Sequence, residues 1–175
     1  HDLGEDGAYL EDGCVIVRTD DHEIAQRVLL SPALRGQHNL CNVAAAVAAA
    51  SLVVVDDLDI ADTLQAFCGL PHRMQIVAKR NQRCFVDDSS STTPESTLAA
   101  LDSLTSPCVL IAGGADKNVD LTPLCSEIIR ETRAFVAIGA TSAAMSDTVQ
   151  KLLGNREAFV FRACHNFESA FEQAV

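Results

Sequence analysis

The sequence predicts an α/β fold whose C-terminal part is a Rossmann-like, mostly parallel sheet with flanking helices. Two observations carry this. From residue 73 onward, short apolar runs alternate with helical stretches of about ten residues, the pattern of βαβ units with right-handed crossovers. Before residue 73 the pattern differs: a hairpin signal precedes an alanine-rich run, "HNLCNVAAAVAAASLVVV". The stretch "GLPHR" separates the two parts, its glycine and proline punctuating the end of a helix.

Each element has a local reason. "AYLEDGCVIVRT" reads as two short strands around a Glu11-Asp12-Gly13 turn. The alanine-rich run has strong helix propensity, and a second helix, Ile60 to Phe67, stops before Gly69. The first helix is apolar almost all round, so it expects burial on several sides. A hairpin and one further helix can hardly supply that. Residues 1–72 therefore read as the tail of a larger domain; the alternative is a small subdomain packed against the C-terminal part. Beyond the break, "MQIVAK" and "RCFVDD" read as strands, and a helix runs from Pro94 to Leu104. Then strands "PCVLIAGG", "AFVAIGA" and "AFVFRA" alternate with helices "TPLCSEIIRET", "SDTVQKLLG" and "NFESAFEQAV". No internal repeat is present.

Composition narrows the function. The chain has 175 residues, 48% hydrophobic and 21% charged, an ordinary globular balance for one domain or one domain with part of another. A net charge of −11 without Lys/Arg clusters argues against nucleic acid or an anionic membrane surface as partner. Small anions remain possible, because helix N-termini and a few placed cations bind them locally. Seven cysteines stand at 14, 41, 68, 84, 108, 125 and 164 without any C-x-x-C. Free thiols in a reducing cytoplasm are expected, and no zinc site. The longest apolar run, Val43 to Val55, is short for a membrane span and contains Ser51; no signal peptide is seen. The chain starts at His1 and stops in a running helix, so it is expected to be cut at both ends.

The stretch "CFVDDSSSTTPEST" is the most informative. Thr93 suits an N-cap, Pro94 the first helical position, and Glu95 the acidic first turn. The hydroxyl-rich run is therefore a structured loop between strand and helix, not a linker. The next strand ends in "IAGGADKNVD", where Gly113-Gly114 permit a sharp turn or a close backbone approach. Crossovers of one hand would place both loops on one sheet edge, where open α/β sheets bind ligands. Hydroxyls and a helix N-terminus from one loop, with Lys117 from the other, suit a carboxylate or phosphate. Plain readings stay open for each residue alone. Serines form turns, Lys117 can be merely solvated, Asp88 can cap its loop, and Asn39 and Asn42 can cap a helix start.

Taken in order, "GQHNLCN", "GLPHRMQ", "VDDSSSTTPESTLAALDSL" and "VLIAGGADKNVDLTPL" resemble the Mur ligases of bacterial cell-wall synthesis, from about Ala8 to Pro123. The likeness is strongest to the branch that adds D-glutamate to UDP-N-acetylmuramoyl-L-alanine through an acyl phosphate, using ATP and Mg2+ in the cytoplasm. It implies that residues 1–72 are the end of a central ATPase domain, and 73–175 most of a C-terminal amino-acid-binding domain. Asn39, Asn42, His72, Arg73 and Asp88 would then bind ATP, with Asp88 on the ribose, whose hydroxyls suit a carboxylate acceptor. Thr92 and Lys117 would hold a carboxylate of D-glutamate. Domain closure would exclude water from the acyl phosphate. A monomer acting on small molecules in peptidoglycan synthesis is implied.

Three departures stand out. Ser90 occupies the position of the family's usual lysine, Asp87 that of a common asparagine, and Gln75 that of a glutamate. Asp87 adds negative charge beside an anion site, with no compensating cation evident in the sequence. The chain also has no G-x-x-x-x-G-K-[ST] and no Gly-Lys pair. The phosphate loop, metal ligands and UDP-binding domain are expected before His1, and a further glutamate-binding segment after Val175. These 175 residues are accordingly expected not to ligate or hydrolyse ATP unaided, and no catalytic residue is assigned. The competing expectations are another Mur or folylpolyglutamate-type ligase, and a non-catalytic relative. A plain dinucleotide-binding domain is weakest, because no G-x-G-x-x-G follows a strand.

Overall fold

The computed structural model describes residues 7–11, 14–18, 23–27, 37–53, 60–154 and 159–175. The chain divides into two compact units, His1–Ser90 and Ser91–Val175.

In the first unit, β1 (Gly7–Glu11), β2 (Cys14–Arg18) and β3 (Glu23–Arg27) form an antiparallel sheet in that order. Glu11 opposite Cys14 closes the expected hairpin, while β3 had no clear signal in the short mixed run "EIAQR". Helix α1 (Gln37–Ser51) packs on β1 and β2 through Val43, Ala44 and Val47, with Ile16 buried in the sheet. Cys41, Asn42, Ala45, Ala46 and Ala49 are exposed. Among the described residues α1 thus buries one stripe and leaves the rest of its apolar surface uncovered. The helix stops at Ser51, whose hydroxyl bonds back to the Ala48 carbonyl, and the β-branched Val53 follows in a turn. Helix α2 (Ile60–Ala66) ends before Gly69, which sits at φ 87°.

Two strands complete this unit, β4 (Gln75–Arg80) and β5 (Arg83–Asp87), in an antiparallel pair. Asn81 and Gln82 connect them at φ 50° and 60°, so both central residues of a two-residue turn are left-handed, which matches the twist of a tight hairpin. Glycine usually fills such positions; Gln82 tolerates the conformation at a cost of about 1–2 kcal/mol. The sequence reading placed the strand before the hydroxyl loop beside "PCVLIAGG" in one parallel sheet. Among the described residues, β5 pairs with β4 alone, because this turn folds it straight back.

In the second unit, α3 (Pro94–Asp102) leads to β6 (Cys108–Gly113), α4 (Thr122–Glu131), β7 (Thr132–Ile138), α5 (Ser142–Leu153), β8 (Val160–Ala163) and α6 (Phe167–Ala174). The sheet is parallel in the order β6-β7-β8, as the alternation predicts. On β7, Phe135, Val136 and Ala137 are all buried; consecutive burial on a pleated strand means both faces are covered. Phe135 and Ala137 share one cluster with Leu124, Cys125 and Ile128 of α4 and Met145 and Val149 of α5. Val136 points the other way, and α6 packs on β6 and β7 with Ala170 fully buried. Phe161 of β8 extends the core, its ring centroid 5.5 Å from that of Phe135. Burial, and then the nearby Asp120 charge, push the Cys125 thiol up to about 11, so it serves as an apolar core residue.

Candidate functional site

The hydroxyl loop is ordered by its own chemistry. Thr93 is the N-cap of α3: its Oγ1 accepts from the Ser96 N–H at 3.3 Å, and the Ser96 Oγ accepts from the Thr93 N–H at 3.2 Å. In this reciprocal box, with Pro94 next, the N–H groups of the first turn are satisfied locally: Ser96 by Thr93 Oγ1 and Thr97 by the Thr93 carbonyl. The Glu95 carboxyl is held below its ordinary value by its own backbone N–H and then by the Thr93 hydroxyl. The cap and the proline both fall where the sequence puts them.

The second loop is set by glycine. Gly113, the last residue of β6, stands at φ 135°, and a Cβ there would lie 2.0 Å from the Ile138 carbonyl oxygen. Gly139, at φ 73°, packs against the Gly114 backbone, where a Cβ would lie 2.9 Å from its Cα. Two bonds lock the pair: the Gly114 N–H donates to Thr141 Oγ1 and the Thr141 N–H to the Gly114 carbonyl, both at 3.1 Å. Beyond this lock, the Asp116 carboxylate accepts from the Asn118 N–H at 2.8 Å, with Asn118 at φ 54°. Lys117 projects from the turn these two make. Its Nζ donates to the Thr92 carbonyl at 2.7 Å. Thr92 and Lys117 are both exposed, 25 residues apart in sequence, and meet beside the capped start of α3. Thr141 and the Gly139 turn were not singled out from sequence; "IGAT" after a buried strand was the available signal.

The other sequence-selected residues lie in the first unit. Asn39 and Asn42 sit within α1, one turn apart, and the Asn42 amide donates to Asn39 Oδ1 at 3.4 Å. His72 and Asp88 belong to two segments stitched together. The Asp88 carboxylate accepts from the Met74 N–H at 2.9 Å, and the His72 carbonyl accepts from the Ser90 N–H at 3.0 Å. His72 Nδ1 lies 2.8 Å from Asp87 Oδ2, and the Ser89 N–H donates to Asp87 Oδ1 at 2.9 Å. His72 and Met74 have φ 61° and 46°, conformations that persist when surrounding bonds over-determine them. Arg73, between them, has an exposed side chain, and its N–H donates to the Leu70 carbonyl at 3.2 Å.

Two sequence inferences change here. Asp87 does have a side-chain partner, His72, brought across by the hairpin. Gln75 is also more than a minor departure, because its Oε1 accepts from the His72 N–H at 2.9 Å and so caps the strained turn. The bond to His72 first, then those to the backbone and hydroxyl of Ser89, lower the Asp87 carboxyl from 3.8 to about 2. A carboxyl lowered on folding contributes stability that is complete above 3.8 and is lost as pH falls through about 2. His72→Ala is expected to move the Asp87 titration, followed by its carboxyl 13C shift, back toward 3.8. Titration still near 2 in that variant would assign the effect to Ser89 instead.

The UDP-N-acetylmuramoylalanine–D-glutamate ligase of Salinibacter ruber is 36% identical over 168 residues, 96% of this chain and 35% of that protein. The ligase of the same name from Chloroherpeton thalassium is 38% identical over 135 residues, 75% of this chain and 29% of that protein. The chain belongs to the Mur ligase family. It spans about a third of the length of these curated relatives. No protein-family model matches the chain. Solved Mur-type structures share its fold: MurF from Acinetobacter baumannii superposes with a TM-score of 0.60 at 18% identity, covering 95% of this chain and 43% of that one. Folylpolyglutamate synthase from Mycobacterium tuberculosis gives 0.65 at 16% identity, covering 95% and 39%. No helix among the described residues is long and apolar enough to cross a membrane.

Proposed function

We propose that this chain is the amino-acid-binding part, with a portion of the nucleotide-binding part, of an ATP-dependent ligase. Its reaction would add D-glutamate to UDP-N-acetylmuramoyl-L-alanine through an acyl phosphate, in cytoplasmic peptidoglycan precursor synthesis. The observation that carries the reading is the meeting of Lys117 with Thr92 at the capped N-terminus of α3. An ammonium has three donors. One is used on the Thr92 carbonyl, and the others, with the Thr92 hydroxyl and the positive end of the α3 dipole, suit a carboxylate. Residues 1–72 would be the end of the central ATPase domain and 73–175 most of the C-terminal domain, with the protein acting as a monomer.

ATP would supply the phosphoryl group that activates the substrate carboxylate. Asn39, Asn42, His72, Arg73 and Asp88 are proposed to line the adenosine. Asp88 fits a ribose because the Met74 N–H engages one carboxylate oxygen and leaves the other as an acceptor. Among the described residues no group of three or more His, Cys, Asp or Glu side chains could hold a metal ion. Magnesium is proposed to be held mostly by parts of a longer enzyme outside these residues. Turnover is likewise proposed for a longer protein that carries a phosphate loop, and the work of these residues is to bind, orient and exclude water.

The test is an NMR chemical-shift titration with D-glutamate against L-glutamate. Shifts centred on Thr92, Lys117 and the first turn of α3, larger for the D isomer, are expected. An equal response to both isomers would overturn the D-glutamate assignment in favour of another Mur or folylpolyglutamate-type ligase.

A further inference from the structure

Asp87 is ionised at neutral pH, so its oxygens accept hydrogen bonds and donate none. The 2.8 Å approach of His72 Nδ1 to Asp87 Oδ2 therefore requires the proton on Nδ1. Both groups are held. Asp87 Oδ1 is engaged by the Ser89 N–H at 2.9 Å, so Oδ2 is the oxygen left for the ring. The backbone of His72 is fixed on both sides, its N–H by Gln75 Oε1 and its carbonyl by the Ser90 N–H. The imidazole is nevertheless 65% exposed. With Nδ1 turned to Asp87, the ring nitrogen that remains for a ligand is Nε2.

We infer that Asp87 is a positioning residue that fixes neutral His72 as the Nδ1–H tautomer and presents Nε2 as a hydrogen-bond acceptor for an N–H or O–H donor of a ligand. A carboxylate enforces this and an asparagine does not. With its side-chain oxygen on the Ser89 N–H, an asparagine would turn its amide NH2 toward His72 and make Nδ1 the acceptor. The charge at 87, which otherwise only adds to an acidic loop, thereby acquires a role. The identity of the donor rests on the ligase reading above: on a nucleoside it is the exocyclic amine or a ribose hydroxyl. Asp88, the neighbouring acceptor, leaves a second oxygen for another hydroxyl.

Imidazole 15N–1H correlation spectra of the chain at mildly alkaline pH test the inference. The two neutral tautomers give different nitrogen shifts, and an unconstrained histidine side chain in water carries its proton mainly on Nε2. The wild type is expected to show the Nδ1–H pattern at His72. Asp87→Asn, which keeps shape and the Ser89 contact, is expected to reverse it to Nε2–H. An Nε2–H pattern in the wild type overturns the inference, and so does an Nδ1–H pattern that persists in Asp87→Asn. The wild-type spectrum decides even if the variant folds poorly. Adding ADP to the wild type separates the two readings. A shifted Nε2 resonance supports the ligand role, whereas no response counts against nucleotide binding and leaves the tautomer result standing.

Discussion

Gly113→Ala is expected to unfold most of the second unit under conditions where the wild type is stable, with a loss of about 2–6 kcal/mol. Two costs add. The residue sits at φ 135°, where an L side chain is strained, and the new Cβ would stand 2.0 Å from the Ile138 carbonyl oxygen. It would also lie 3.0 and 3.1 Å from Ile138 C and N, so it meets backbone of the central strand rather than a side chain able to turn away. Gly113 is paired with Ile138 in the parallel ladder, so relief requires β6 and β7 to separate at their carboxyl ends. The whole stability of a domain is of order 5–15 kcal/mol, which makes this loss decisive. Gly154→Ala supplies the control. It shares a positive φ, 53°, but a Cβ there meets nothing within 4 Å, so only backbone strain of about 1–3 kcal/mol is expected. Urea unfolding midpoints of the two variants settle the point: equal losses would mean that the close approach at Gly113 contributes nothing. The consequence reaches the site, because Lys117 hangs four residues beyond this contact and is aimed by the same locked loop.

That loop also shows what was legible from sequence. The N-cap at Thr93, Pro94 after it, and the paired glycines at 113 and 114 were readable because each arises from local geometry: an unpaired N–H, a fixed φ, or a missing Cβ. The parallel sheet was readable from the alternation of buried strands with helices. The His72–Asp87 pair was not, since it depends on register. Asn81 and Gln82 close a two-residue turn, and counting back along the hairpin, with its irregularity between Ile76 and Ala78, sets Gln75 opposite Asp87. Only then does His72 come within reach. A turn of type Asn-Gly would have announced this hairpin; Asn-Gln did not. The same turn explains why the strand before the hydroxyl loop folds back on β4. Lys117 and Thr92 meet through a side chain and a backbone carbonyl, a pairing that motif order suggested but no spacing rule could supply.

Lys117→Met is expected to lower kcat/KM for D-glutamate roughly tenfold to hundredfold in a ligation assay with a full-length enzyme carrying this segment, with the fold intact. The range comes from a charged hydrogen bond worth about 1.5–3 kcal/mol. Exposed ion pairs alone contribute less than this, about 0–1 kcal/mol. What raises the value here is preorganisation. The ammonium is already anchored 2.7 Å from the Thr92 carbonyl, between a capped helix start and the Asp116–Asn118 turn, so little side-chain freedom is left to lose. Methionine keeps the apolar stem and removes the charge, so the fold should hold; circular dichroism and the unfolding midpoint check that. Arginine is not a rescue, because a planar fork does not reproduce a point charge at this carbonyl. A Lys117→Met enzyme with unchanged kcat/KM for D-glutamate would remove Lys117 from the site, and with it the proposed carboxylate pocket at the start of α3.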